Sequence, residues 1–181
     1  AVYKGLPVTK IADYGFADNT YVNAHARTDE IITVSIPESI INIGQYAFNN
    51  CRGIIEVIFA DNSRLQTIES SAFSHCTELQ NITIPKTVTN ISSLAFLACE
   101  NLESVTFEAG SQLETIGNNA FDSCISLSSI SLPESITNLG TFVFENCKGL
   151  TTINLPHGIT EIPNGLFCGC SLTEITLMDT I

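Results

Sequence analysis

The sequence predicts a solenoid, in which short coils of the chain stack and share one continuous interior. A Phe-x-x-Cys motif occurs six times in 181 residues, at 48–51, 73–76, 96–99, 121–124, 144–147 and 167–170. An apolar residue three positions after each of the first five cysteines recurs at intervals of 25, 23, 25 and 23, at Ile54, Leu79, Leu102, Leu127 and Leu150. A unit this short cannot bury its own apolar edge, so neighbouring units must cover one another.

Each unit is predicted to begin with a strand. In the stretch from Leu79 to Ile84, the Leu-x-x-Ile-x-Ile pattern ends in strict alternation, which is typical of a strand with one buried face. A proline stops the strand in four units because it cannot donate to a ladder. These prolines are Pro37, Pro85, Pro133 and Pro156. Other units have a longer turn here, such as residues 108–111, so long and short coils alternate.

Each unit is predicted to end with a short helical turn. Phe and Cys stand three residues apart, which is one helical turn, and Asn, Ser and Gly cluster around them. Equivalent residues of stacked coils lie about 4.8 Å apart, which predicts an internal column of phenylalanines and a second column of cysteines. The phenylalanines are Phe48, Phe73, Phe96, Phe121, Phe144 and Phe167, and the cysteines are Cys51, Cys76, Cys99, Cys124, Cys147 and Cys170.

Packing explains the repeated cysteine better than chemistry does. Zinc sites need closely spaced ligands that converge, whereas these cysteines recur every 23 or 25 residues. Parallel side chains of stacked coils rarely meet the dihedral angle that a disulfide requires. A catalytic thiolate needs a base and some exposure, and only one coil has a neighbouring histidine, His75. Cys168 lies off the column and is expected to be the exposed thiol.

The charge balance disfavours several classes of partner. The chain has 19 acidic and 7 basic residues, a formal net charge of −12. Nucleic-acid binding depends on Lys and Arg, so we expect neither nucleic-acid binding nor attachment to an anionic membrane. No apolar run approaches the roughly 20 residues of a membrane span, and we expect no direct membrane insertion. The three histidines, at 25, 75 and 157, form no recurring catalytic arrangement, so the sequence predicts no catalytic residues, no bound metal and no cofactor.

These units resemble the BspA-like subfamily of the leucine-rich repeat superfamily, whose consensus is roughly LxxIxIPxxVxxIGxxAFxxC. Residues 32–51 and 150–170 match this consensus at nearly every step, and the resemblance covers about residues 31–177. We expect a single leucine-rich repeat domain over 1–181, with six coils of 22–25 residues over 31–171 and a partial coil over 172–181. Residues 1–30 form a divergent partial coil with an insertion at 20–30. Because the chain begins inside a repeat, we expect a segment of a longer protein.

The resemblance implies a leucine-rich repeat solenoid of the α/β repeat type. Its parallel sheet lies on the concave face, with short helical turns or short strands on the convex side. It also implies a secreted or cell-surface protein that takes part in adhesion or host contact. We therefore expect an extracellular protein or glycan as the partner, and a monomeric chain.

The alternation within each strand indicates which side chains face outward on the sheet and could bind a partner. The face is rich in hydroxyls, thinly acidic and free of aromatic residues. The candidate binding residues are Glu56, Asn81, Thr83, Ser104, Thr106, Ser129, Ser131, Thr152, Asn154, Glu174 and Thr176, with Thr33, Ser35 and Ile58 completing the face.

The insertion at 20–30 is a second candidate, because long insertions in compact repeats are often functional loops. Tyr21, His25 and Arg27 give it a richer mixture of side chains than the sheet has, although the insertion could equally cover the end of the core. Two other functions stay open for the chain. One is a structural spacer that presents another domain, and the other is a carbohydrate-binding module, which would lack the usual aromatic platform.

Overall fold

The structure is a computed structural model, which describes residues 2–3, 6–17 and 30–177. Its strands form two parallel sheets and a small hairpin. The hairpin pairs β1 (Val2–Tyr3) with β2 (Leu6–Pro7). The seven-stranded sheet contains β4 (Thr33–Ile36), β6 (Glu56–Phe59), β8 (Asn81–Ile84), β10 (Ser104–Phe107), β12 (Ser129–Ser131), β14 (Thr152–Leu155) and β15 (Glu174–Leu177). The six-stranded sheet contains β3 (Lys10–Ile11), β5 (Asn42–Ile43), β7 (Thr67–Ile68), β9 (Asn90–Ile91), β11 (Thr115–Ile116) and β13 (Asn138–Leu139).

The seven-stranded sheet confirms the predicted strands. Consecutive coils contribute neighbouring parallel strands, in the order β4 to β15 along the sheet. Equivalent residues pair across the ladder, so that Val34 lies beside Val57 and Val105 beside Ile82. The central apolar residue of each strand points inward, and its two neighbours point outward, as in β8, where Ile82 is buried between the exposed Asn81 and Thr83.

The short strands of the second sheet follow from the same repeat. Each strand has two residues, of which the second is apolar and, from β5 to β13, buried, while the first points outward. The first coil contributes β3, which pairs with β5. Of the two alternatives that the family resemblance implied opposite the main sheet, helical turns or short strands, the structure has short strands in the described residues.

The predicted helical turn at Phe-x-x-Cys is wrong. In residues 46–51, the N–H groups of odd-numbered residues donate to carbonyls three residues earlier, at 3.1–3.2 Å, and those of even-numbered residues donate to the next coil, at 2.8–3.0 Å. Tyr46 and Asn50 have φ angles of 56° and 60°, which a right-handed helix cannot contain. A helix would use its N–H groups internally, whereas this series of turns uses half of them to hold neighbouring coils together. The α/β description is therefore not supported for the described residues.

The phenylalanines form the predicted column. Seven rings stack from Phe16 to Phe167, with centroids 5.1–5.9 Å apart and planes within 10° of parallel. Phe16, in the first coil, extends the column by one ring beyond the six motifs. The rings of Phe73, Phe96, Phe121 and Phe144 are fully buried.

The cysteine column combines packing with a hydrogen bond. The Sγ of each motif cysteine donates to the carbonyl oxygen of the phenylalanine in the preceding coil, at 3.0–3.3 Å. The same oxygen accepts the N–H of its own coil's cysteine, as Phe73 does from Cys76 at 3.2 Å and from Cys99 at 3.2 Å. A thiol suits this position because it is a small apolar group with a weak donor.

Burial keeps these thiols protonated. It raises the pKa of Cys99 from 9.0 to about 12, and it raises the pKa values of Cys76 and Cys124 well above 9.0. Since the thiolate is the reactive form of cysteine, the buried column is chemically inert near neutral pH. All seven cysteines are free, and Cys168 is exposed, as the sequence predicts. Cys170, at the end of the column, is only half-buried.

Candidate functional site

The outward side chains of the seven-stranded sheet form one continuous surface, which we call the strand face. It consists of the 14 residues, two from each strand of the seven-stranded sheet, that the alternation predicts to point outward. Of the eleven candidate binding residues on it, nine are exposed, while Ser104 and Thr176 are half-buried. The ladder places them in two rows, since each coil adds one residue to each row. The structure therefore brings all eleven together on one surface.

Hydrogen bonds divide the strand face into two parts. On β8 and β10, the hydroxyls of Thr83 and Thr106 lie 2.9 Å apart, and Ser104 donates to the side-chain oxygen of Asn81 at 2.6 Å. These four side chains already satisfy part of their hydrogen-bonding capacity. Among the outward residues of β12 and β14 the structure shows no such pair, and all four are exposed: Ser129, Ser131, Thr152 and Asn154. This second part offers the larger number of available polar groups.

The other end of the strand face carries apolar residues. Ile32, Ile55 and Ile58 are 58%, 39% and 45% exposed. Reasoning from alternation identified only Ile58, because Ile32 and Ile55 precede their strands. Comparison of the coils could have identified Ile32 and Ile55, since other coils have polar residues such as Gln80 and Glu103 at the equivalent position.

A depression of about 270 Å³ lies beside Ile55, and Glu56, Gln80, Asn81 and Thr83 are also part of its wall. Its position follows from the ladder. Strands β4 and β6 pair over four residues, whereas β6 and β8 pair over only two. The strands separate where a long coil is followed by a short one, as also occurs between β10 and β12.

One rim of the strand face contains a hydrogen-bonded contact between side chains of two coils, Glu134 and His157. The Oε2 atom of Glu134 accepts the backbone N–H of His157 at 3.1 Å and lies 2.8 Å from its Nδ1. The hydrogen bond with the His157 side chain lowers the pKa of Glu134. Both side chains are about half exposed or more, so the pair contributes little to stability.

Tyr21, His25 and Arg27 of the insertion lie outside the described residues. Within 2–3, 6–17 and 30–177, no three His, Cys, Asp or Glu side chains are grouped so that they could hold a metal ion. In that same part of the chain, no helix is both long and apolar enough to cross a bilayer.

Comparison with solved structures identifies the architecture. The crystal structure of the T. pallidum leucine-rich repeat protein TpLRR superposes with a TM-score of 0.64 at 27% identity, over 96% of this chain and 65% of that one. The pneumococcal vaccine antigen PcpA superposes with a TM-score of 0.53 at 21% identity, over 97% of this chain and 61% of that one. The chain thus spans somewhat less than two thirds of the length of either protein. None of the curated proteins matches it significantly.

The repeat itself identifies the family. The family model of the BspA type leucine-rich repeat region matches the chain in six copies, over residues 9–112 and 66–181. Together these two ranges include nearly the whole chain. The chain therefore belongs to the BspA type leucine-rich repeat family.

Proposed function

We propose that the chain is a non-enzymatic recognition or adhesion module that binds extracellular macromolecules through its strand face. The observation that carries this proposal is the continuous exposed surface of polar side chains, which a hydrogen-bonded ladder keeps in register over seven strands. Repeat proteins present such extended surfaces for binding. Membership in the BspA type family supports a location at the cell surface or outside the cell.

The chemistry of the strand face favours many weak contacts over a few strong ones. Hot spots of protein interfaces are enriched in Trp, Tyr and Arg, and none of these residues is among its 14 members. Hydroxyl and amide groups supply directional but modest interactions. A partner that spans several coils, or several copies of the chain, would add these contacts together. The available groups of β12 and β14 are the favoured centre of the contact.

A structural spacer is the second candidate. The hydrogen bonds that connect Thr83 with Thr106 and Asn81 with Ser104 favour it, because side chains that satisfy one another need no partner. A spacer and a recognition module differ in their response to surface substitutions. A spacer tolerates new charges on the strand face, whereas a recognition module loses its partner.

We expect lysine substitutions on the strand face to abolish binding to an extracellular partner. The purified chain is tested against a panel of extracellular-matrix proteins and glycans by surface plasmon resonance. One variant carries Ser131→Lys and Asn154→Lys, and a second carries Thr83→Lys and Thr106→Lys. New side chains and charges at these exposed positions obstruct a flat contact without entering the core.

A third variant, Gln66→Lys with Gln112→Lys, is the matched control, since both glutamines are exposed outside the strand face and the charge change is the same. The proposal predicts the greatest loss for the β12–β14 variant and none for the control. If no panel member binds the unaltered chain, or if all three variants bind equally well, recognition through the strand face is rejected and the spacer is favoured.

A further inference from the structure

The second sheet is interrupted between its last strand, β13, and the coil that follows. In each of the five coils before this interruption, the residue that follows the short strand donates its N–H to the previous coil. The acceptor is the carbonyl of the apolar residue in that coil's short strand. The donors are Gly44, Glu69, Ser92, Gly117 and Gly140, at 2.8–3.0 Å. Pro163 occupies this position in the next coil, and proline has no N–H to donate.

The interruption leaves one edge of β13 without its usual partners. Among the described residues, no backbone N–H of the following coil donates to the carbonyl of Leu139 or to the carbonyl of Thr137. In earlier coils the residues equivalent to Thr137, such as Gln66 and Glu114, each accept a hydrogen bond from a backbone N–H of the next coil. The segment from Thr160 to Pro163 forms no strand. Ile162, whose counterparts from Ile43 to Leu139 are buried, is 49% exposed. The structure of residues 150–170 therefore departs from that of the other coils between Thr160 and Pro163, whereas Phe167 and Cys170 keep their places in the two columns.

A polar groove of about 380 Å³ occupies the space where the strand would lie. Six polar residues line it: Thr137, Asn138, Thr141, Thr160, Glu161 and Asn164. Leu139, Ile159 and Pro163 add apolar surface. Hydrogen bonds on the far side hold the groove in place, since Phe142 donates to the carbonyl of Asn164 at 3.0 Å and Phe144 to that of Leu166 at 3.0 Å. Its volume lies within the range of about 300–1,000 Å³ for small-molecule sites.

The lining residues favour a neutral ligand. No lysine or arginine lines the groove, and the carboxylate of Glu161 repels anions. A calcium ion needs six to eight oxygen ligands, usually with several carboxylates, whereas the groove has a single carboxylate. The three threonine hydroxyls and the two asparagine amides can each donate and accept hydrogen bonds. The Glu161 carboxylate and the backbone carbonyls of Thr137 and Leu139 can only accept them. A ligand with several hydroxyl groups and some apolar C–H surface matches this combination.

We propose that the groove at Pro163 binds a sugar or a similar neutral polyol. Hydroxyl groups of the ligand donate to Glu161 and to the carbonyls of Thr137 and Leu139, in place of the missing strand. Bonds to an ionised acceptor are the stronger ones, so Glu161 contributes most. The site lies on the second sheet and is independent of the strand face, so either proposal can fail without the other.

The experiment is a titration of the ¹⁵N-labelled chain with glucose, galactose, mannose, N-acetylglucosamine and inositol, followed by amide chemical shifts. We expect saturable shifts at Thr160, Glu161 and Asn164 with at least one of these probes at millimolar concentration. Glu161→Ala with Asn164→Ala should weaken this binding by about tenfold or more. Gln66→Ala is the control, because this exposed side chain occupies the position equivalent to Thr137 on the same side of the solenoid but three coils away from the groove.

A second variant tests the origin of the groove. Pro163→Gly restores the residue type found at positions 44, 117 and 140, and its new N–H should bond to the carbonyl of Leu139. We expect this amide to be protected from hydrogen exchange and sugar binding to be lost. The proposal is overturned if no probe gives saturable shifts at the groove, if the Glu161 and Asn164 substitutions leave affinity unchanged, or if a chain with a protected amide at 163 still binds sugar.

Discussion

Replacing Phe96 by alanine is expected to lower the free energy of unfolding by about 3–5 kcal/mol, the usual cost of a large buried deletion. The Phe96 ring is fully buried and stacks between Phe73 and Phe121, with centroid distances of 5.4 and 5.2 Å. The neighbouring coils cannot close the resulting cavity, because hydrogen bonds between coils on both sides fix their separation. Urea denaturation of the variant and the unaltered chain measures the difference.

Phe16→Ala is the matched control for this prediction. Phe16 stacks on Phe48 at 5.1 Å but is 49% exposed, so its removal leaves no enclosed cavity and should cost considerably less. A loss below about 1 kcal/mol for Phe96→Ala would show that the phenylalanine column is not the centre of the core.

The protein is expected to lose stability steeply in alkaline solution. Burial raises the pKa of Cys99 from 9.0 to about 12, so the folded state retains a proton that the unfolded state releases in this range. The stabilisation is therefore complete below the unfolded pKa and is lost as the pH rises towards the folded one. Between these values, each such thiol should lower the free energy of unfolding by about 1.4 kcal/mol per pH unit. Cys76, Cys124 and Cys147 add to the effect because burial also raises their pKa values.

Tyrosine and lysine also titrate in this range, so the thiol contribution is isolated by a variant. Urea denaturation is measured at several pH values for the unaltered chain and for Cys99→Ala under reducing conditions. In the variant, the free energy of unfolding should fall less steeply with pH, and the two slopes should differ by about 1.4 kcal/mol per pH unit, the contribution of one thiol. Equal slopes for the two proteins would mean that Cys99 can ionise inside the folded protein, contrary to its burial.

Much of the fold could be predicted because the repeat presents the same physical problem in every coil. Alternation around residues such as Ile82 indicated the strands, and the fixed position of Phe96 and Cys99 indicated two columns. The helical turn could not be distinguished from a series of turns by spacing alone, since both place these residues three apart. The left-handed conformation of Tyr46 decides between them, and a bulky residue is an uncommon choice there.

The candidate site was predictable in outline for the same reason. Outward positions such as Thr83 and Ser131 follow from the two-residue period of a strand. The hydrogen bond between Thr83 and Thr106 depends on side-chain rotamers, which a sequence pattern does not specify. The groove depends on a local break in the second sheet, where Pro163 has no N–H group and the Thr137 carbonyl also lacks its usual bond among the described residues, within a unit whose sequence otherwise matches its neighbours.

Counting reactive thiols tests most directly the central claim that the repeated Phe-x-x-Cys motif is structural. The chain is treated with a thiol reagent with and without denaturant, and the modified residues are identified by mass spectrometry. We expect Cys168 to react at the rate of an unstructured cysteine and the half-buried Cys170 to react more slowly, while the five buried cysteines react only after unfolding. Rapid modification of Cys76, Cys99 or Cys124 in the native protein would contradict the buried column and reopen a chemical role for the motif.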